Sequence, residues 1–194
     1  MIAIVDYRAG NVASVRKALD RLGCESVITS DAQEIARAER IVLPGVGHFA
    51  ATRALDPLRL TIARAIRRGT PFLGICVGMQ WMFAGSTEAP GVSGFGLFPG
   101  EVEKFPNAVK SPHVGWNQIS VRSGSRLLGG IPADAFVYFT HSYRAPLCDT
   151  TVAECEYGGR FAAAVERDNV FGVQFHPEKS GDIGLAILRN FVTC

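Results

Sequence analysis

The chain lacks several features that would have set its class at once. No apolar run in its 194 residues approaches the ~18 needed to span a bilayer as a helix, so no membrane association is expected. No dense block of basic residues occurs. The 20 Lys+Arg and 18 Asp+Glu leave a formal charge of +2, which gives no case for nucleic-acid binding. The pair Arg67-Arg68 closes a helical pattern, where cations suit the helix dipole. The five cysteines (Cys24, Cys76, Cys148, Cys155, Cys194) are odd in number, scattered, and never spaced as Cys-x-x-Cys. That argues against a disulfide framework and a zinc site, and for a reducing cytoplasm. The four histidines (His48, His113, His141, His176) form no His-x-x-x-His pair, so neither metal nor cofactor is expected. The opening Met1-Ile-Ala-Ile-Val-Asp6 lacks the basic region of a leader and reads as a first strand. There is no linker, repeat or low-complexity tract, and residues 1–194 are expected to form one domain.

The first half alternates short apolar runs with helical patterns. Strands are expected at 2–5, 26–29, 40–43 and 72–75. Asn11 is expected to cap a helix with Val12, Val15, Leu19 and Leu22 on its buried face and Gly23 past its end. Asp31 with Glu34 fits a capping pattern. Asp56-Pro57 reads as the start of a helix carrying Leu58, Ile62, Ala65 and Ile66. Residues 84–100, rich in Gly, Pro and Ser, read as a long surface loop. Further strands are expected at 102–105, 114–121, 136–139, 151–157, 161–165 and 170–175. Gly158-Gly159 and Asp168-Asn169 supply turns, and a last helix begins at Ser180 or Gly181. This pattern predicts an α/β fold of flavodoxin-like type. Its central sheet is mixed, mostly parallel, with helices on both faces and antiparallel strands in the C-terminal half.

Three stretches carry chemistry. In Phe72-Leu-Gly-Ile-Cys-Val-Gly-Met-Gln80 a buried strand runs into a thiol flanked by Gly74 and Gly78, and a helical pattern over 79–83 follows. This is the layout of a nucleophile elbow, with glycines where a Cβ would clash and a helix start facing the sulfur. A buried, inert cysteine would give the same local pattern. His176 follows an apolar run, and Glu178, two residues on, lies on the same side of an extended backbone. A carboxylate there fixes the imidazole tautomer, although a solvated turn also fits His-Pro-Glu. The third stretch, Pro44-Gly45-Val46-Gly47, follows a strand. Its glycines let backbone N–H groups approach an oxyanion, together with the N–H of Val77. An ordinary strand-to-helix turn has the same composition.

Together Gly74-Ile-Cys-Val-Gly-Met-Gln80, Phe175-His-Pro-Glu-Lys-Ser180 and Leu43-Pro-Gly-Val-Gly-His-Phe49 resemble the class I (triad-type) glutamine amidotransferases. The subgroup most similar is the glutaminase subunit of imidazole glycerol phosphate synthase, in histidine biosynthesis. Val5-Asp-Tyr-Arg-Ala-Gly-Asn-Val12, His113-Val-Gly-Trp-Asn117 and Tyr138-Phe-Thr-His-Ser-Tyr-Arg144 support that subgroup. The resemblance implies a Cys76, His176, Glu178 triad. It also implies an oxyanion site at Gly45, Val46, Gly47 and Val77, and glutamine contacts from Gln80, Ser142 and Tyr143. Glutamine would be split through a Cys thioester, and the ammonia would pass to a (β/α)8-barrel cyclase in a heterodimer. Lys179 is the first interface candidate, with Asn11, Trp116 and Asn117 behind it. His113 and His48 are read as structural or interface residues, and His141 receives no catalytic role. Three other readings compete: the glutaminase of another synthase such as pyridoxal phosphate synthase, a non-catalytic elbow-cysteine redox or chaperone domain, and a thiol hydrolase of γ-glutamyl peptides.

Overall fold

The computed structural model describes residues 1–194. β1 (Ile2–Val5) leads into α1 (Val12–Arg21), which buries Val15, Ala18 and Leu19 at helical spacing. Asn11 stands at its N-terminus, but its side chain makes no capping bond; its carbonyl accepts from Val15 N–H instead. β2 (Ser26–Thr29) and α2 (Ala32–Arg37) follow, and here the expected cap forms. Asp31 Oδ1 accepts from Gln33 N–H at 2.6 Å and Glu34 N–H at 3.0 Å. β3 (Arg40–Gly45) extends two residues past its predicted end, through Pro44 and Gly45. Next comes a 3₁₀ run, Phe49–Leu58, whose first N–H groups bond to His48 Nδ1 and to the Glu88 carboxylate. Pro57 therefore lies inside that run, and α3 (Arg59–Arg67) starts later than Asp56-Pro57 predicts. β4 (Phe72–Cys76) runs straight into α4 (Val77–Gln80).

The long segment after α4 is only partly a surface loop. It contains β5 (Gly85–Ser86), and Ala89, Val92 and Phe98 are buried. Phe95 stacks on Trp81 at 4.5 Å, and Phe98 packs on Phe83. Its glycines and prolines bend the chain while its aromatics anchor it to the core. β6 (Glu101–Lys104), β7 (His113–Val121), β8 (Phe136–His141) and β9 (Tyr143–Arg144) follow. Then come β10 (Thr151–Glu156), β11 (Arg160–Arg167), β12 (Val170–Val173) and α5 (Gly181–Thr193).

The large sheet has nine strands in the order β2-β1-β3-β4-β12-β11-β10-β7-β8. Pairing is parallel from β2 through β12 and antiparallel from there to β8. The α/β architecture is as the sequence predicts, with the antiparallel share larger than the strand pattern suggested. The strands are apolar on both faces, so each face gathers its own core. Ile2, Ile4, Leu73 and Ile75 pack with α1 and α5 on one side. Ala3, Val5, Ile41, Leu43 and Phe72 pack with α2 and α3 on the other.

Candidate active site

The parallel strands β3, β4 and β12 are neighbours, so their carboxyl ends share one edge of the sheet, where open α/β sheets place ligands. Cys76 ends β4 with φ 53° and ψ −110°, a left-handed conformation that costs a side-chain-bearing residue energy. The two flanking glycines are what make the turn possible. A Cβ on Gly78 would stand 1.9 Å from the carbonyl oxygen of Leu43 on β3, and one on Gly74 would stand 2.7 Å from Gly78 O. The helix after the thiol is one turn, shorter than the 79–83 pattern predicts. The carbonyls of Trp81, Met82 and Phe83, which would have continued it, accept instead from N–H groups of residues 95–98. The dipole favouring a thiolate is correspondingly small; what remains is the local N–H groups of a helix start, Val77 first among them.

His176 follows β12 and is 1% exposed. Its Nδ1 lies 2.8 Å from Glu178 Oε1, and both side chains are buried. The backbone between them is a 3₁₀ turn (Pro177–Lys179), not the extended dipeptide assumed from sequence, and the pair meets through that turn. Ser180 locks it: its hydroxyl donates to His176 O at 2.6 Å and accepts from Tyr138 N–H at 3.0 Å. His176 Nε2 is buried with no hydrogen-bond partner. Burial opposes imidazolium, but interaction with Cys76 and then with Glu178 outweighs it and raises the His176 pKa to about 10.

Beside Cys76 lies a cavity of about 220 Å³ whose lining includes Gly47, Val77, Gln80, Glu88, Thr140, Ser142 and Tyr143. The predicted Gly47, Val77, Gln80, Ser142 and Tyr143 thus come together around the thiol. Glu88 was missed, being an isolated acid in a Gly/Pro-rich stretch with no motif around it. Gly45 pairs with Cys76 across β3–β4. The N–H of Val46 is already engaged, donating to Ala9 O at 3.0 Å. Tyr7 closes the far side of Gly45: a Cβ on that glycine would stand 2.4 Å from the phenol oxygen. The Tyr7 hydroxyl is buried without a partner, and burial together with the Cys76 charge holds its pKa far above the ordinary value.

The two other buried histidines form a chain of contacts that starts in the cavity wall, where His141 lies, and runs back through His113. His141 Nδ1 lies 2.8 Å from Tyr143 O, His113 Nδ1 3.2 Å from His141 Nε2, and Asn117 Nδ2 3.2 Å from His113 Nε2. A carbonyl can only accept, so His141 carries its proton on Nδ1 and His113 likewise. Burial lowers the pKa of His141 to about 3 and that of His113 to about 4. Asn117, expected at an interface, turns its amide inward to His113 and Glu156 O. Trp116, on the opposite face of β7, is 56% exposed beside Val114 and Phe136, and Lys179 Nζ sits 5.8 Å over the Tyr138 ring. Asn11 is half-buried. No group of three His, Cys, Asp or Glu side chains is placed to hold a metal ion, and no helix is long and apolar enough to cross a membrane.

An α/β sheet with a strained thiol at one strand end and a carboxylate-anchored imidazole at the next has the layout that acyl transfer through a cysteine requires. The Glutamine amidotransferase class-I profile matches residues 3–194, and the chain belongs to that family. It is a glutamine amidotransferase. A relative in Methanothermobacter thermautotrophicus named imidazole glycerol phosphate synthase subunit HisH is 48% identical, covering 99% of this chain and 98% of its own. One of the same name in Thermococcus kodakarensis is 51% identical with 98% of both chains covered. Among solved structures, a glutamine amidotransferase superposes with a TM-score of 0.78 at 16% identity, covering 100% of this chain and 98% of that one. PurLQS from Thermotoga maritima gives 0.75 at 21%, covering 99% and 97%. These two show the fold alone.

Proposed function

We propose that this chain is the glutaminase subunit of imidazole glycerol phosphate synthase, that residues 1–194 act as one amidotransferase domain, and that Cys76, His176 and Glu178 are its triad. The observation that carries the triad is the buried imidazole anchored on Glu178 through Nδ1, with Nε2 free near the thiol. His176 takes the Cys76 proton, and Sγ attacks the side-chain amide carbon of glutamine. Nε2–H then protonates the leaving nitrogen, and water hydrolyses the glutamyl thioester. Val77 N–H and an N–H of the 45–47 segment hold the oxyanion. The Val46 N–H is occupied by Ala9 O, so the Gly45–Val46 peptide must turn before it can donate, which makes the loop a gate. In the cavity the Glu88 carboxylate suits the α-ammonium of glutamine, while Gln80 and the strand end at Ser142 and Tyr143 position the rest.

The ammonia passes to a (β/α)8-barrel cyclase, where a phosphorylated ribulosyl carboxamide intermediate becomes imidazole glycerol phosphate and an aminoimidazole carboxamide ribonucleotide. Ring closure belongs to that partner. The exposed Val114, Trp116 and Phe136 with Lys179 beside them suit a docking face for it; Asn11 is a weaker contact, and Asn117 acts from behind. The subunit is read as cytoplasmic, in keeping with its five free thiols.

The test is glutamate release from glutamine, with and without the barrel subunit and its ligand, for wild type and Cys76→Ala. Weak activity alone, a large rise with liganded cyclase and none in the variant are expected. No rise with liganded cyclase would remove the partner assignment, and full turnover by Cys76→Ala would remove the mechanism.

A further inference from the structure

Gln174 has no part in the triad and does not line the cavity, yet it is completely buried and touches the nucleophile. It follows β12, with its backbone N–H fixed on Ala163 O at 2.8 Å. Its Nε2 lies 3.6 Å from Cys76 Sγ, and its Oε1 accepts from Gln80 Nε2 at 3.1 Å. Gln80 Nε2 also donates to Tyr143 O at 2.9 Å. The direction of this chain follows from its fixed end. A carbonyl can only accept, so Gln80 must present its NH₂ to Tyr143. The second hydrogen of that NH₂ then meets the Gln174 oxygen, which leaves the Gln174 NH₂ facing the sulfur. His141, neutral and donating to the same Tyr143 carbonyl, holds the fixed end in place.

We propose that Gln174 is a positioning residue of the reaction, donating Nε2–H to Cys76 Sγ, orienting the sulfur and favouring its thiolate. The inference rests on Cys76 being the nucleophile. A thiol gains little from a donor aimed at sulfur, since its own proton must then point elsewhere, toward His176 or toward Thr140 O at 4.0 Å. A thiolate gains a charge-assisted hydrogen bond. The chain also leaves the Gln80 oxygen as its free acceptor, so Gln80 can offer a substrate only an acceptor.

The experiment follows the pH dependence of iodoacetamide alkylation at Cys76, by mass spectrometry of its peptide, in the isolated chain. Neither glutamine turnover nor a partner is needed, so a failure of the glutaminase reading would not be mistaken for a failure here. The other titrating groups around the thiol are His176 and Glu178 after β12, Tyr7 after β1, His141 on β8 and Glu88 across the cavity, and all are unchanged in the variants. Gln174→Leu should move the alkylation midpoint up by about one pH unit, the size expected for a hydrogen bond to a charged group. Gln174→Glu should move it further, because a carboxylate replaces the donor. In the liganded complex kcat should fall roughly tenfold with KM within about twofold, since Gln174 does not border the cavity. Unchanged midpoints in both variants would overturn the proposal. Should neither variant fold, wild-type protein decides. The Gln174 side-chain ¹⁵N–H₂ resonances should shift with the Cys76 titration and not in Cys76→Ala; resonances that do not follow the thiol would also overturn it.

Discussion

The buried histidine pair predicts an acid sensitivity that can be worked through. His141 and His113 titrate near 3 and 4 in the folded chain, against about 6.5 unfolded. Unfolding therefore takes up protons anywhere between those limits, and stability must fall as pH drops from 7 toward 4. From pH 7 to pH 5, His141 alone removes about 2 kcal/mol. His113 reaches toward the half-exposed Asn117, so its share is discounted to about half, for a combined loss of roughly 3 kcal/mol. His176 works in the opposite sense. Its raised pKa contributes stability that is complete below the unfolded value and is lost as pH climbs toward 10. Measuring in Cys76→Ala removes the largest interaction raising it. The paired Glu154, whose pKa is lowered, loses its contribution only as pH falls below the usual carboxylate range. Urea unfolding at several pH values between 7 and 5, read by circular dichroism, gives the slope. Constant or rising stability toward pH 5, or a folded-state His141 ring that titrates near 6.5 by NMR, would refute the locked neutral pair.

Three further outcomes follow from the site. Gly78→Ala drives a Cβ into the Leu43 carbonyl and should cost at least about 3 kcal/mol or abolish soluble expression; a near-neutral effect in a urea melt would mean β3 and the elbow can separate. Tyr7→Phe removes a buried hydroxyl without a partner and should stabilise the chain by about 1 kcal/mol, whereas a loss of that size would reveal a hydrogen bond absent from this conformation. Glu178→Gln keeps a group beside Nδ1 but removes its charge, so kcat in the liganded complex should drop far less than in Cys76→Ala. Equal losses in steady-state glutamate release would give Glu178 a more direct role.

Local signals carried the first half of the fold because its rules are local. A helix face repeats every three or four residues, and Asp31 bonds N–H groups two and three positions on; the same holds later in the chain where Gly158 and Gly159 turn it. Where the sequence misled, a distant partner had replaced a local one. Asn11 needed no side-chain cap, and Pro57 fell inside a 3₁₀ run whose start is fixed by Glu88, 39 residues from Phe49. The helix after Cys76 went no further where residues 95–98 took the carbonyls of Trp81, Met82 and Phe83.

The site divides along the same line. Cys76 and the His176–Glu178 pair could be singled out as candidates because each lies in a short motif, while the sheet order that brings β4 beside β12 is seen only in the structure. Gln174 lies in the apolar run before His176 and nothing local marks it, since a glutamine before Phe-His has no chemistry of its own. Its meaning comes from Gln80, 94 positions away, and from Cys76, 98 positions away, and those contacts exist only because β12 lies against β4. β12 is also the strand at which parallel pairing gives way to antiparallel. A parallel neighbour on one side fixes where Cys76 and His176 end. The antiparallel strands on the other carry the chain to His141 at the end of β8, and Tyr143 on β9 follows it, to hold the pair of amides that ends at the sulfur. The thiol thus sits where both halves of the sheet can reach it, which neither half could supply alone.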